Sequence, residues 1–255
     1  MSWNPDQYLK FAAPRLQPAI DLLARVPCPH PGTVYDLGCG AGNVTQLLAA
    51  RWPDASITGV DDSAEMLAKA RAAAPGVHWV QQSLASWRAP AAADLIYSNA
   101  ALHWLPDHQR LFPALAGQLA AGGVLAVQMP RNFSAPSHTL IAETVRSGPW
   151  RARLEPLLAS SPVAEPAFYY DALRARVARL DIWETEYLQV LSGPDPVKEW
   201  TKGTWLKQFL DALAEPERSV FEADYAARLR QAYPMLPDGN TLFPFRRLFL
   251  LAVGR

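Results

Sequence analysis

A short strand that runs into a glycine-rich turn and then a helix constrains the fold of this chain more than any other feature. The sequence of residues 34–43 is VYDLGCGAGN. Residues 33–37 are predicted to form a strand, and residues 43–51 are predicted to form a helix. Glycines between them let the chain bend sharply and leave main-chain atoms open to a ligand. The segment therefore predicts an α/β fold that binds a ligand where its first strand ends.

Short strands alternate with helical segments throughout the first half of the chain. Further strands are predicted at residues 56–60, 77–81, 94–98 and 124–129, and a helix at 107–119. Ser63 is the predicted N-cap of the helix after the second strand, and Gly122 with Gly123 is predicted to form a turn into the fifth. This alternation is typical of parallel βαβ units.

The second half has a different pattern. Prolines divide residues 130–179 into short helical pieces, residues 194–233 are mainly helical, and strands are predicted at 181–190 and 241–253. We therefore assign residues 1–130 to a ligand-binding core and residues 131–180 and 194–237 to helical cap insertions that cover one end of the sheet. Residues 181–193 and 238–255 are assigned to the final strands, which complete the core sheet.

Two acidic residues indicate which nucleoside ligand fits this core. Asp61 ends the predicted second strand about 20 residues after the glycine turn, where a carboxylate can accept both ribose hydroxyls. The glycines follow the pattern G-x-G-x-G and not the dinucleotide pattern G-x-G-x-x-G, and Asp36 lies two residues before the first of them. A carboxylate there repels a pyrophosphate but suits a ligand with an ammonium and a sulfonium group. The pattern favours S-adenosylmethionine over NAD.

Composition argues against several kinds of partner. The 24 basic and 24 acidic side chains give a formal net charge of zero, which disfavours binding to nucleic acid. The sequence has no long uncharged apolar run for a membrane span and no export signal at its N-terminus. Its two cysteines, Cys28 and Cys39, are too few for a disulfide framework and lack metal-site spacing. We expect a cytoplasmic protein with no metal, acting as a monomer or weak homodimer.

Three motifs in order carry a resemblance to a known family. They are DLGCGAGN at 36–43, GVDDS at 59–63 followed by Met66, and SNAALHW at 98–104. Together they resemble the class I S-adenosylmethionine-dependent methyltransferases, and nearly the whole chain is similar to the trans-aconitate 2-methyltransferases. The resemblance implies a Rossmann-like, doubly wound sheet of seven strands with the last antiparallel, and a mostly helical cap. It also implies methyl transfer to a small carboxylate, which yields a methyl ester and S-adenosylhomocysteine.

The resemblance carries the family's cofactor contacts onto matching positions. These are Asp36, Gly38, Cys39, Gly40 and Asn43 around the turn, Asp61, Asp62 and Met66 after the second strand, and Asn99 and Ala100 after the fourth. Where the family has an acidic residue that reaches the adenine amine, this chain has Ser83, followed by Leu84. The main-chain amide of Leu84 is left to meet the ring, and the lost acceptor costs about 1 kcal/mol, the value of one hydrogen bond.

The acceptor site is predicted from what methyl transfer requires. The reaction mainly needs alignment and exclusion of water, and a carboxylate acceptor needs no general base but does need cationic partners. The candidate substrate-binding residues are Trp104, Tyr169, Tyr170, Lys202, Thr204, Arg246 and Arg247. Arg246 and Arg247 are adjacent on a predicted strand, so they point to opposite faces and only one is expected to reach the site. Nearby, Trp205 and Lys207 replace a glycine and an arginine that are usual in the family.

Three alternatives stay open on the sequence alone. His103 is either a positioning residue beside the reacting methyl group or a hydrogen-bonded structural histidine. Each lysine or arginine of the predicted cap is either a solvated surface residue or a substrate-binding residue. The chain as a whole also fits a methyltransferase for another acid or hydroxyl compound, or a non-catalytic or cyclase-like descendant that keeps the cofactor only as a structural part.

Overall fold

The computed structural model describes residues 12–158, 161 and 163–255. Its strands are β1 (Thr33–Leu37), β2 (Ser56–Asp61), β3 (His78–Gln81), β4 (Ala93–Asn99), β5 (Leu119–Pro130), β6 (Val177–Ser192) and β7 (Asn240–Gly254). Its α-helices are α1 (Ala12–Arg25), α2 (Asn43–Arg51), α3 (Ala64–Ala73), α4 (His108–Ala116), α5 (Pro136–Ser147), α6 (Arg151–Leu154), α7 (Pro166–Leu173), α8 (Pro196–Lys202), α9 (Lys207–Asp211) and α10 (Glu217–Ala232). Two 3₁₀ turns lie at Leu102–Trp104 and Glu155–Leu157. None of the described helices has the length and apolar character that a membrane crossing requires.

All seven strands belong to one sheet, in the order β3-β2-β1-β4-β5-β7-β6. The first five are mutually parallel, and β7 runs antiparallel to β5. The chain builds outward from β1 on one side through β2 and β3, and then returns to β4 on the other side. Such a reversal opens a crevice at the carboxyl ends of β1 and β4, where open α/β sheets bind their ligands. The predicted seven-stranded Rossmann-like fold with an antiparallel last strand is confirmed.

Local sequence signals placed some elements well and others poorly. Both β1 and α2 begin and end at the predicted residues, and the Ser63 side chain caps α3 by accepting from the Met66 amide at 3.3 Å. The predicted turn at Gly122 was wrong. This residue, with φ +73°, lies inside β5, which begins at Leu119 and shifts register against β4. The glycine accommodates an irregularity within the strand and does not end the preceding segment.

The chain divides into two compact units. The core unit comprises Leu16–Pro130, Pro162–Thr185 and Arg247–Arg255, and the helical unit contains Arg131–Ser161 and Glu186–Arg246. The core unit contains β1 to β5, and the buried apolar side chains of these strands form much of its interior. The helical unit packs α5, α8, α9 and α10 around its own cluster, which includes Trp150, Trp200, Phe209, Phe221 and Phe243. Each unit therefore has an apolar core of its own.

Candidate active site

The glycine turn after β1 has a backbone that only glycine adopts readily. Gly38, Gly40 and Gly42 have φ angles of +75°, +54° and +83°. A Cβ atom on Gly38 would overlap the side chain of Ala101, and one on Gly42 would lie 2.6 Å from the Trp79 ring. Gly40 differs, because beyond the residue itself and its two chain neighbours, no atom of the described chain lies within 4 Å of the place its Cβ would take. The main chain at Gly40 is therefore open to a ligand.

Asp61, at the end of β2, is fixed by the main chain of this turn. Its Oδ2 accepts from the Gly40 amide and its Oδ1 from the Ser63 amide, both at 2.9 Å. The turn is itself held by the amides of Gly38 and Cys39, which both donate to the Val60 carbonyl. Each carboxylate oxygen keeps a further acceptor site. The half-buried carboxylate thus has the rigidity and the free lone pairs that two ribose hydroxyls require.

Asp36 lies buried beneath the turn, with 2% of its surface exposed. The Thr45 hydroxyl donates to its Oδ2 at 2.6 Å. Burial raises the pKa of Asp36 to about 7, the Thr45 hydrogen bond opposes this shift, and the negative charge of Asp61 adds to it. Near neutral pH the Asp36 carboxyl is therefore balanced between its protonated and charged forms, and a cationic ligand nearby favours the charged form.

The other predicted cofactor residues differ in burial and in their surroundings. Cys39 packs with Leu67, Ala70 and Trp79, and burial together with the charges of Asp36 and Asp61 raises the pKa of its thiol, as expected for a packing residue and not a nucleophile. Asn43 is the exposed first residue of α2, Asp62 is exposed, and Met66 is half-buried in α3. Ser83 is exposed, and Leu84 Cδ1 lies 3.5 Å from the position of a Cβ on Gly38. Leu84, distant in sequence, thus lies against the turn, and the cofactor-binding roles of these residues stay predictions.

The segment after β4 is strained and tied to β5. Ala100 has φ +52°, a left-handed conformation that costs energy for a residue with a side chain, and its amide donates to the Gln128 carbonyl at 2.9 Å. The preceding Ser98 hydroxyl donates to the Leu37 carbonyl at 2.8 Å. These bonds fix Asn99 and Ala100 at the carboxyl end of the sheet. Strain of this kind is common where a loop is shaped to meet a ligand.

His103 lies in the 3₁₀ turn that follows, with 5% of its surface exposed. Its ring lies 4.6 Å from that of Trp104, and its buried Nδ1 has no hydrogen-bond partner in the described part of the chain. Burial is the main cause that lowers the pKa of His103 to about 3, and the positive charge of Arg247 acts in the same direction. His103 is therefore neutral near pH 7, and its Nδ1 lacks the hydrogen bond expected of a structural histidine. Its positioning role stays a prediction.

Arg247 is the one buried lysine or arginine among the residues that the structure describes, with 5% of its surface exposed. It pairs with Pro130, the last residue of β5, and so lies at the carboxyl end of that strand. Its Nη1 donates to the Oε1 atom of Gln128 at 3.4 Å. The adjacent Arg246 has 45% of its side chain exposed and lies 3.8 Å from Glu186. The two arginines thus differ in exposure, as expected for neighbours on a strand.

Gln128 is a candidate site residue that the sequence reasoning missed. It is fully buried in β5, and it stands in register with Asn99 on β4 and Phe249 on β7. Within the described ranges, neither Gln128 Nε2 nor Asn99 Oδ1 has a hydrogen-bond partner. The available signal was a single polar residue in the apolar strand segment VLAVQM, residues 124–129.

The aromatic residues predicted to bind substrate differ in their surroundings. Tyr169 is fully buried in α7, and its hydroxyl lies 2.7 Å from His108 Nδ1. Because His108 Nε2 lies 3.0 Å from the Leu102 carbonyl, Nε2 carries the proton and Nδ1 accepts from the tyrosine. The Tyr169 hydroxyl also accepts from the Ala164 amide at 3.2 Å, so it is engaged within the core unit. Tyr170 and Trp104 are about half exposed.

The remaining predicted substrate residues belong to the helical unit and have partners there. Lys202 Nζ lies 2.7 Å from Glu222 Oε1, and the Thr204 hydroxyl donates to the Thr201 carbonyl at 3.3 Å. Trp205, at the position where the family usually has glycine, contacts Phe133 with ring centroids 5.2 Å apart. The substrate-binding roles of Lys202, Thr204 and Arg246 stay predictions.

Comparison with known proteins places this site in context. A family model described as a methyltransferase domain matches residues 34–123. The chain is 50% identical over 252 residues to a trans-aconitate 2-methyltransferase of Azoarcus sp. (strain BH72), covering 99% of each chain. It is 48% identical to one from Methylobacterium nodulans, covering 98% of this chain and 97% of that one.

Solved structures with low sequence identity share the fold. The YcgJ protein of Bacillus subtilis matches with a TM-score of 0.59 and 17% identity, covering 94% of this chain and 99% of that one. Phosphoethanolamine N-methyltransferase 2 of Haemonchus contortus, solved with S-adenosyl-L-methionine, matches with a TM-score of 0.55 and 15% identity over 93% of this chain and 52% of that one.

Proposed function

Because this chain belongs to the trans-aconitate 2-methyltransferase family, and is thus an S-adenosylmethionine-dependent methyltransferase, we propose that it esterifies a carboxylate of trans-aconitate or a closely related polycarboxylate. The relatives that carry this name align over nearly the whole chain at 42–50% identity, which supports the same class of acceptor. The structural observation that carries the proposal is Arg247, a buried guanidinium at the carboxyl end of β5.

The residues around the glycine turn fit the cofactor. Asp61 offers a rigid carboxylate for the ribose, Gly40 offers open main chain, and the buried Oδ1 of Asn99 is an acceptor without a partner among the described residues. Asp36 adds a carboxyl group whose charge a cationic ligand stabilises. When bound, S-adenosylmethionine supplies a methyl group activated by a sulfonium.

The protein's own part in the reaction is to hold the acceptor and to exclude water. Arg247 can hold a carboxylate with two parallel N–H donors, and burial strengthens this attraction. The acceptor carboxylate is already ionised at neutral pH, so in-line attack on the methyl group requires no base. The neutral His103 is too weak a base to deprotonate a hydroxyl acceptor, which disfavours the alternative of a hydroxyl methyltransferase.

The test is turnover with methyl-labelled cofactor and a panel of acids that contains trans-aconitate, citrate and a monocarboxylate, followed by identification of the labelled ester. We expect trans-aconitate to be labelled and the monocarboxylate to be labelled poorly. Loss of a charge-assisted hydrogen bond of roughly 1.5–3 kcal/mol in Arg247→Ala should raise KM for trans-aconitate about 10- to 150-fold. Failure to form any ester would reject the proposed function and would favour a non-catalytic descendant.

The matched comparison is Arg246→Ala, on the same strand with an exposed side chain. Its effect on KM should be at least about tenfold smaller than that of Arg247→Ala. Equal effects of the two variants would reject Arg247 as the residue that holds the carboxylate. Binding of S-adenosylhomocysteine by calorimetry shows that each variant retains its cofactor site.

We further propose a cytoplasmic location, a state no larger than a weak homodimer, and neither nucleic acid nor a membrane as partner. These proposals rest on the neutral composition and the two unpaired cysteines. Cell fractionation and light scattering on the purified protein test them.

A further inference from the structure

Gln128 is a buried amide that the packing of the core unit does not explain. Its neighbours in β5, residues 124–127 and Met129, are all buried and apolar, and Gln128 itself has no exposed surface. Burying an amide is unfavourable unless its donors and acceptor find partners. Its Nε2 has none within the described chain. An apolar side chain of similar volume would cost less free energy to bury at this position. The amide therefore points to a role beyond packing.

The contact with Arg247 fixes the orientation of this amide. A guanidinium has only donors, so the amide atom 3.4 Å from Nη1 must be the oxygen. The Nε2 group of Gln128 therefore faces away from Nη1 and keeps both of its hydrogens for another acceptor. The contact with Arg247 thereby orients Gln128 so that its Nε2 is the available donor. The guanidinium and the amide together offer donors from two directions.

Register places this pair beside the predicted cofactor residues. Gln128 and Asn99 are paired on adjacent parallel strands, while Arg247 lies two residues from Phe249, the antiparallel partner of Gln128. Paired residues of neighbouring strands share a face, and so do residues two apart on one strand. Asn99, Gln128 and Arg247 therefore project from one face of the sheet at its carboxyl end.

We propose that Gln128 is a specificity-determining residue, and that its Nε2 donates to an oxygen of a non-reacting substrate carboxylate that Arg247 also binds. This inference rests on the proposed function. It identifies the side chain that recognises a second carboxylate of the substrate, one that is bound while another carboxylate is methylated. A carboxylate presents acceptors to both side chains. A carboxamide in the same place turns an NH₂ group toward one of the two donors, so the site rejects it.

Binding requires a small rearrangement. Nε2 is enclosed by neighbouring side chains, so the acceptor has to displace one of them. The bound oxygen is then shielded from water by the side chains that surround it.

The experiment compares Gln128→Met and Gln128→Glu with wild type on trans-aconitate and on each of its monoamides. The methionine variant keeps the volume and loses the donor, so KM for the acid should rise about 10- to 100-fold while kcat changes less than about threefold. The glutamate variant can still accept from Arg247 but presents an acceptor in place of Nε2. It should lose at least about tenfold of the preference for the acid over the best-bound monoamide.

A structural role predicts a different result. If Gln128 only supports the fold, both variants should weaken the acid and the amides equally, which would overturn the inference. Unchanged kinetics in Gln128→Met with an active wild type would overturn it while leaving the proposed function intact, and an inactive wild type would overturn both. The exposed Gln109→Met serves as the control for the substitution itself, and S-adenosylhomocysteine binding checks folding. Where the methionine variant does not fold, the nearly isosteric glutamate variant decides.

Discussion

Binding of S-adenosylmethionine should release a proton from Asp36. The pKa of this carboxyl is raised from 3.8 to about 7, mainly by burial, so the ligand-free protein holds roughly half a proton there at pH 7 and about 0.9 at pH 6. The shift corresponds to about 4 kcal/mol that opposes ionisation. A sulfonium and an ammonium bound at the glycine turn offset this cost, because opposite charge nearby stabilises the carboxylate. A drop of the pKa to about 5 would release about 0.8 proton at pH 6.

The assay is titration calorimetry at pH 6 in two buffers with different ionisation enthalpies. The difference in heat gives the number of protons released, and affinity should rise about fivefold per pH unit from pH 5 to pH 7 and level off above pH 7. Asp36→Asn should abolish both effects. S-adenosylhomocysteine, which lacks the sulfonium charge, should release fewer protons than the methylated cofactor. Release below about 0.1 proton at pH 6, or an equal release by Asp36→Asn, would refute the reasoning.

The same group links pH to the stability of the ligand-free protein. The folded pKa of Asp36 lies above its unfolded value, so its contribution is fully present below about pH 4 and is lost as pH rises toward 7. The loss amounts to at most about 4 kcal/mol. Urea unfolding of wild type and Asp36→Asn at pH 5 and pH 8 measures it. A wild type whose stability relative to the variant does not fall with pH would contradict this assignment.

Three further predictions follow from the site. The pKa of His103 is lowered from 6.5 to about 3, mainly by burial, so its contribution to stability is lost as pH falls below 6.5. Between pH 7 and pH 4, the free energy of unfolding of His103→Gln should therefore rise by about 3 kcal/mol relative to that of wild type, as urea unfolding would show. No such rise would contradict the assignment. Gly42→Ala, which meets Trp79, should destabilise the protein more than Gly40→Ala, which meets open space and costs only about 1–2 kcal/mol of backbone strain, as denaturant unfolding would show; equal losses would argue against the packing. Asp61→Ala should weaken S-adenosylhomocysteine binding at least about thirtyfold by calorimetry, and unchanged affinity would remove the ribose role.

Local sequence was sufficient to predict the elements and side chains around the glycine turn. The ends of β1 and α2, the cap at Ser63 and the carboxylate of Asp61 were all predicted, because each depends on residues close in sequence. Glycine at positive φ, a hydroxyl at a helix start and an acidic residue at a strand end act over a few residues. The spacing of these signals also distinguished S-adenosylmethionine from a dinucleotide.

Tertiary structure decided which side chains meet at the proposed acceptor site. Arg247 and Gln128 are 119 residues apart and meet only because β7 pairs antiparallel with β5 in one register. Which arginine is buried, and that His103 stays neutral, depend on desolvation by side chains from distant segments. The sequence determined which ligand the turn favours because sterics and spacing are local, whereas strand pairing and burial determined which charged side chains lie buried at the carboxyl end of the sheet.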